Sequence, residues 1–225
     1  MRVVIPSVGY ADMLAVTLPA WLSVLGGDAG IDVVTSRDDR ATQETVAAVG
    51  GVSVGVIISD AWTRDGAVFN KAAALDQAFG FDGADCPPPA VGERCLSLDA
   101  DAYPVGTLPD PADILPGVLY GCARATCLTP ADLEAYRTGR LAADVFPIRN
   151  GGHRGAGYFQ LFRYRPGLRY GSFPDAGHYD LAFHQQFDRV EALRAPFSVL
   201  HLGRTSSKNW KGRILPPWKA VTCPA

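Results

Sequence analysis

The sequence predicts an α/β fold, a single domain over 1–225 with a mostly parallel central sheet flanked by helices. Three observations predict it. Short apolar strands alternate with helical segments through the first hundred residues, and that order builds a doubly wound sheet. The connections between them are short. The chain has 225 residues, 48% hydrophobic and 20% charged, which suits one large core and is short for two.

Each element has its own signal. "RVVIPS" (Arg2–Ser7) is a buried first strand. "YADMLAVTLPAWLSVLG" has helical periodicity and stops at Gly26-Gly27. "IDVVTS" (Ile31–Ser36) is a second buried strand. "DDRATQETVAAVGG" is a helix with Asp39 as a candidate cap and Gly50-Gly51 as its stop. "VSVGVII" is a third strand, and "FNKAAALDQAFGF" is an Ala-rich helix ending at Gly80. A Pro-rich loop, "DCPPPAVGE", leads into the fourth strand, "RCLSLDAD". After Pro104 the pattern loosens. "GVLYGCARATCL" and "GYFQLFRY" are shorter strands, "HYDLAFHQQFDRVEAL" reads as one helix, and "FSVLHLG" is the last strand. The tail "RTSSKNWKGRILPPWK" is basic and rich in turn formers, and reads as a mobile loop.

The fourth strand runs into two carboxylates, Asp99 and Asp101. Residues i and i+2 of a strand share a face, so the two would lie side by side. Like charges that close repel unless a positive group sits between them. A hard divalent ion, Mn²⁺ or Mg²⁺, suits carboxylate oxygens. A solvated acidic turn is the plain alternative. In open α/β sheets ligands bind at the carboxyl ends of the strands, the edge that Ser7, Ser36 and the acidic pair would share.

Residues 1–136 carry 7 Lys and Arg against 18 Asp and Glu, whereas 137–225 carry 14 against 5. A basic second part on an acidic body suits an anionic partner, a nucleotide diphosphate or a nucleic acid, unless the two faces pack on each other. Arg149, Arg154, Arg163, Arg165 and Arg169 are interleaved with Tyr158, Phe159, Phe162, Tyr164 and Tyr170. Cations for phosphates and rings for bases make DNA a candidate acceptor. The plain alternative is that the rings are strand core. The five cysteines lack a C-x-x-C pair, which favours reduced, buried thiols in a cytoplasm-like compartment. No apolar run approaches the length of a membrane span, and no signal peptide is recognisable.

Four pieces, in this order, resemble GT-A-type (Rossmann-like) glycosyltransferases of the family-two and β-1,4-galactosyltransferase kinds. They are "VVIPSVGYADMLAVTLPAWL", "FNKAAALDQAF", "LSLDADAYP" and "VLHLG". The resemblance implies a nucleoside-diphosphate sugar donor, a UDP-sugar above all, held by 1–104, with 105–225 taking the acceptor. It implies that Asp99, Asp101 and His201 gather round the metal, with Asp101 ligating directly and Asp99 facing ribose or sugar. Pro6, Ser7, Thr35, Ser36 and Asp38 would line the nucleoside site; several of them serve equally as turn residues. Asn70 and Lys71 open the Ala-rich helix, where phosphate or sugar oxygens are favoured, though a capping Asn and a solvated Lys also fit. An inverting transfer needs a carboxylate base. Asp180 matches the acidic motif that opens a later helix, and Asp175 is the runner-up. Here Tyr179 stands where the related enzymes often carry a second acid. Trp210, in 203–213, would belong to a lid over the donor. The family's smallest members include phage enzymes that glycosylate modified bases in DNA, so a hypermodified pyrimidine is a candidate acceptor. A glycan or small-molecule acceptor, a nucleotidyltransferase and a non-catalytic nucleic-acid-binding module are the alternatives. The nucleotidyltransferase lacks its Gly-rich, lysine-bearing loop after the first strand.

Overall fold

The structure, a computed structural model, describes residues 1–27, 29–83, 86–147, 157–193, 197–203, 212, 213 and 218. In chain order it runs β1 (Arg2–Pro6), α1 (Ala11–Leu25), β2 (Gly30–Thr35), α2 (Arg40–Val49), β3 (Val54–Ile58), α3 (Lys71–Phe79), β4 (Arg94–Leu98) and β5 (Ala102–Val105). It continues with β6 (Val118–Gly121), β7 (Ala123–Cys127), α4 (Pro130–Arg137), β8 (Phe159–Arg163), α5 (Tyr179–His184), β9 (Arg189–Ala192) and β10 (Ser198–Leu202). Seven strands form the main sheet in the order β3-β2-β1-β4-β8-β6-β9, and β5-β10-β7 form a small second sheet. Among the main-sheet strands only β8 runs against its neighbours, β4 and β6.

The alternation along β1 explains the three layers. Val3 and Ile5 point into a cluster with Leu14, Leu18 and Trp21 of α1 and Val46 of α2. Val4, between them, points into the opposite cluster with Ala72–Leu75, Ala78 and Phe79 of α3. A strand buried on both faces reads as a continuous apolar run, as "VVI" does. Helix α2 starts on Asp39, whose side chain accepts from Thr42 N, and α3 starts on Asn70, which accepts from Ala73 N. Gly80 closes α3 in the left-handed conformation, φ 71°.

Beyond the added helix α4, the second half departs from its expected outline at two places. "HYDLAFHQQFDRVEAL" does not form one helix. Helix α5 ends at His184, and Arg189–Ala192 becomes β9, paired in parallel with β6. Open backbone groups on β6 and the β-branched Val190 outweigh the helical spacing, which is a tertiary override of local preference. The small sheet is the other departure: β10 pairs β5 antiparallel and β7 parallel, so the last strand inserts between earlier ones.

The rings expected to stack on bases are core instead. Phe159, Phe162 and Tyr170 are at most 1% exposed, and Tyr158 and Tyr164 are buried too. Arg163 spends its guanidinium on the carbonyls of Gly92, Pro111 and Ile114. Arg149, Arg154 and Trp210 lie outside the described residues, as does most of the expected lid. Cys86, Cys95, Cys122 and Cys127 form no disulfide among the described residues, and the last three of them are buried. No helix among the described residues is long and apolar enough to cross a membrane.

Candidate active site

The carboxyl edge of the main sheet assembles the site. Strands β1 and β4 run side by side in parallel, with Val4 opposite Ser97, so the residues that follow each strand leave the same edge of the sheet. The two carboxylates are not on a strand, however. Strand β4 ends at Leu98, and residues 100 and 101 form a turn closed by Ala102 N donating to Asp99 O (3.1 Å). Strand alternation therefore does not bring the carboxylates together; the turn does. Helix α1 holds that turn by its carbonyls: Thr17 Oγ1 donates to Ala100 O and Trp21 Nε1 to Ala102 O, both at 2.7 Å.

From the small sheet, β10 brings His201 to the turn, and Leu202 N donates to Asp101 O at 2.9 Å. One ligand atom from each of Asp99, Asp101 and His201 lies within 4.8 Å of the others. His201 Nε2 is 3.5 Å from Asp101 Oδ1. Asp101 Oδ1 and His201 Nδ1 are both buried without a hydrogen-bond partner among the described residues. Buried polar atoms are seldom left so. Burial raises the Asp101 carboxyl above its ordinary value, with Asp99 adding to the rise and His201 opposing it. A divalent cation fits this donor set, since it would satisfy the orphaned Asp101 oxygen, take one imidazole nitrogen and offset the like charges.

Lys71 is not solvated. It is 7% exposed, and its ammonium is ion-paired with Asp99. Burial alone would lower its pKa, but Asp99 and then Tyr179 outweigh burial and raise it. The Nζ also sits 5.2 Å from the Tyr179 ring centroid. Tyr179 Oη donates to Gly157 O (3.0 Å), and a Cβ on Gly157 would overlap that phenol. Tyr179 opens α5, so the helix carrying Asp180 is docked on the Lys71–Asp99 pair through the preceding residue. Asp180 is half-buried, and its Oδ1 accepts from Leu181 N. Asp175 turns its Oδ1 to Gly177 N (2.8 Å) and lies 3.9 Å from His178 Nδ1.

The nucleoside candidates divide. Ser7 and Thr35 are buried at the ends of β1 and β2. Asp39 Oδ2 accepts from Gly9 N, Thr42 Oγ1 and Thr35 Oγ1, and Ser7 Oγ lies 3.4 Å from Thr42 Oγ1. Ser36 lends its carbonyl to Gln43 and Asp39, while Asp38 is exposed. Asn70 caps α3 and also donates to Ser172 Oγ at 2.8 Å. Sequence reasoning missed Tyr10, Arg124 and Thr126, and it read Tyr158 as a base-stacking ring rather than a buried neighbour of His201. Tyr10 carries the Arg213 guanidinium over its ring (4.9 Å), and burial, with Asp101 and Asp99 near, pushes its phenol well up. For Arg124 and Thr126 a signal existed, two polar residues at i and i+2 in "ARATC".

No family model and no curated protein matches this sequence. Solved structures do match it. The Staphylococcus aureus protein TarS 1–349 in complex with UDP-GlcNAc superimposes with a TM-score of 0.56 at 10% identity, over 91% of this chain and 59% of that one. The mannosyltransferase PcManGT from Pyrobaculum calidifontis, in complex with GDP-Man and Mn²⁺, gives 0.50 at 18%, over 93% and 58%. The chain has the GT-A fold. It spans less than three-fifths of the length of either of these GT-A chains.

Proposed function

We propose that the protein is a divalent-metal-dependent glycosyltransferase that moves a sugar from a nucleoside-diphosphate sugar to an acceptor hydroxyl. The observation that carries this reading is the convergence of Asp99, Asp101 and His201 within 4.8 Å at the carboxyl edge of the sheet. The two GT-A structures above, one in complex with UDP-GlcNAc and the other with GDP-Man and Mn²⁺, support the same reading. Asp101, whose buried Oδ1 has no hydrogen-bond partner among the described residues, and His201 would hold the ion. The imidazole in the set favours Mn²⁺ over Mg²⁺. Bound there, the cation offsets negative charge that grows on the departing diphosphate.

The protein's own groups supply the rest. Asp99, its charge met by Lys71, accepts hydrogen bonds from ribose or sugar hydroxyls. Pro6, Ser7, Thr35, Ser36 and Asp38 border the nucleoside where β1 and β2 end. Asp180 takes the acceptor hydroxyl's proton as that oxygen bonds to the anomeric carbon and the bond to the leaving phosphate oxygen breaks, which inverts the anomeric centre. For the acceptor, a hydroxyl of a glycan or small molecule fits better than a DNA base, because the rings available for stacking are core.

Thermal-shift titration of the protein with Mn²⁺ and UDP, GDP or CDP tests the reading. One nucleotide should stabilise the wild type in the presence of Mn²⁺, and Asp101→Asn and His201→Ala should abolish that response. A wild type indifferent to all three would overturn it.

A further inference from the structure

His201 is not the only group on its face of the small sheet with an unmet polar atom. The parallel register pairs His201 with Thr126 and Val199 with Arg124, so Arg124, Thr126 and His201 project from one face. Thr126 is 2% exposed, and its Oγ1 has no partner among the described residues. Arg124 Nε is likewise buried and unpartnered. Its guanidinium lies 4.8 Å from the centroid of the Tyr158 ring, which meets the His201 ring edge-on at 6.5 Å. Tyr158 Oη is already used, donating to Cys122 O at 2.6 Å, so the ring serves as a platform that fixes the guanidinium plane.

The charges nearby sort themselves. Lys71 is committed to Asp99 and Arg213 to Asp12. No carboxylate among the described residues pairs with Arg124. An oriented guanidinium edge with an unmet N–H, beside an unmet buried hydroxyl, matches a tetrahedral or planar oxyanion in geometry and charge. We propose that Arg124 and Thr126, seated on Tyr158 beside the candidate metal centre, form a binding subsite for a phosphate or carboxylate of a bound substrate. The subsite stands on its own geometry, while its assignment to a substrate rests on the glycosyltransferase reading. Two sources offer that chemistry, the donor's diphosphate and an anionic group on the acceptor.

The test compares wild type with Arg124→Gln and the near-isosteric Thr126→Val, which preserves the β7 side-chain volume should the arginine variant fail to fold. In Mn²⁺ buffer at constant ionic strength, inorganic phosphate should raise the melting temperature of wild type. Each substitution should weaken phosphate about tenfold, the size of one lost charge-assisted hydrogen bond. UDP and uridine then separate the sources. A tenfold loss for UDP with uridine unchanged in Arg124→Gln assigns the subsite to the donor. Unchanged UDP affinity, with phosphate still binding the Mn²⁺–UDP complex of wild type and lost from the variant, assigns it to an anionic acceptor. Phosphate binding that is absent from wild type, or equal in wild type and both variants, overturns the subsite. Failure of the transferase reading looks different: wild type then ignores Mn²⁺ with nucleotide while its phosphate response still depends on Arg124.

Discussion

Lys71 shows how little a residue's type says about its surroundings. A lysine at the first position of a helix is ordinarily solvated, yet this one is buried on Asp99 and beside Tyr179. Methionine in its place keeps most of the volume and removes the charge. Asp99 then stands unpaired next to Asp101, and a broken ion pair of this burial costs about 2–3 kcal/mol, less than a fully enclosed one because Asp99 keeps contact with water. Calorimetric melting of metal-free Lys71→Met should show that loss. Added Mn²⁺ should stabilise the variant more than the wild type, because the ion then meets two uncompensated carboxylates. Equal Mn²⁺ responses would mean that Asp99 does not sense the ion. Asp180 makes a second prediction at this scale. Asp180→Asn should lower kcat by about a hundredfold or more, as for a lost general base, with nucleotide affinity unchanged. Asp175→Asn, whose carboxylate serves its own turn, should change kcat little. Single-turnover sugar transfer beside nucleotide titration separates the two carboxylates.

Among the elements, the early ones were legible and the late ones less so, for a physical reason. Strands β1, β2 and β4 are buried on both faces, and their apolar runs announce them without reference to partners. Helices α2 and α3 carry local caps, Asp39, Asn70 and Gly80, that any reader of the chain can find. Strand β9 exists only because β6 offers it an edge, so its signal lies outside its own residues; β10 is legible as "FSVLHLG", but its insertion between β5 and β7 is not. The acidic pair was found for a strand geometry it does not have, since a turn held by Thr17 and Trp21 brings its members together. The end of α3 can be tested sharply. Gly80 has φ 71°, and a Cβ there would overlap Cys86 O and stand 2.7 and 2.8 Å from Pro87 C and Pro88 N. Gly139, just past the end of α4, has φ 72° with open space around it. Urea unfolding should therefore show Gly139→Ala losing about 1 kcal/mol, the left-handed cost alone, and Gly80→Ala losing more than about 2 kcal/mol from backbone overlap as well. Similar losses at both sites would show that the backbone of Cys86, Pro87 and Pro88 yields.

Across the whole molecule, the halves read from the sequence, 1–104 and 105–225, are interlocked rather than adjacent. Strand β8 lies against β4, β10 against β5, and Asn70 reaches Ser172. Asp76 of α3 is the tightest of these ties and sets a pH dependence for the fold. It is 5% exposed, its Oδ1 accepts from Tyr170 N at 2.6 Å, and its Oδ2 from Gly171 N at 2.9 Å. Burial lifts its pKa from 3.8 to about 6, against the pull of the two backbone N–H groups toward the ionised form. Between those values the folded chain holds a proton that the unfolded chain has released. The stabilisation from this carboxyl is therefore complete below about pH 4 and is lost as the pH rises through 6. A shift of two pH units corresponds to on the order of 3 kcal/mol. Asparagine at this position removes the titration and, like the protonated carboxyl, offers one strong acceptor oxygen to the two N–H groups, so Asp76→Asn should lie close to wild type at pH 4. Subtracting the stability of Asp76→Asn from that of wild type cancels every other titrating group. That difference, measured by denaturant unfolding at pH 4, 5, 6 and 7, should fall by about 2 to 3 kcal/mol between pH 4 and 6 and level off above. A difference independent of pH would mean that the two N–H donors outweigh burial and that Asp76 is ionised throughout, binding the 168–173 loop to α3 as a carboxylate.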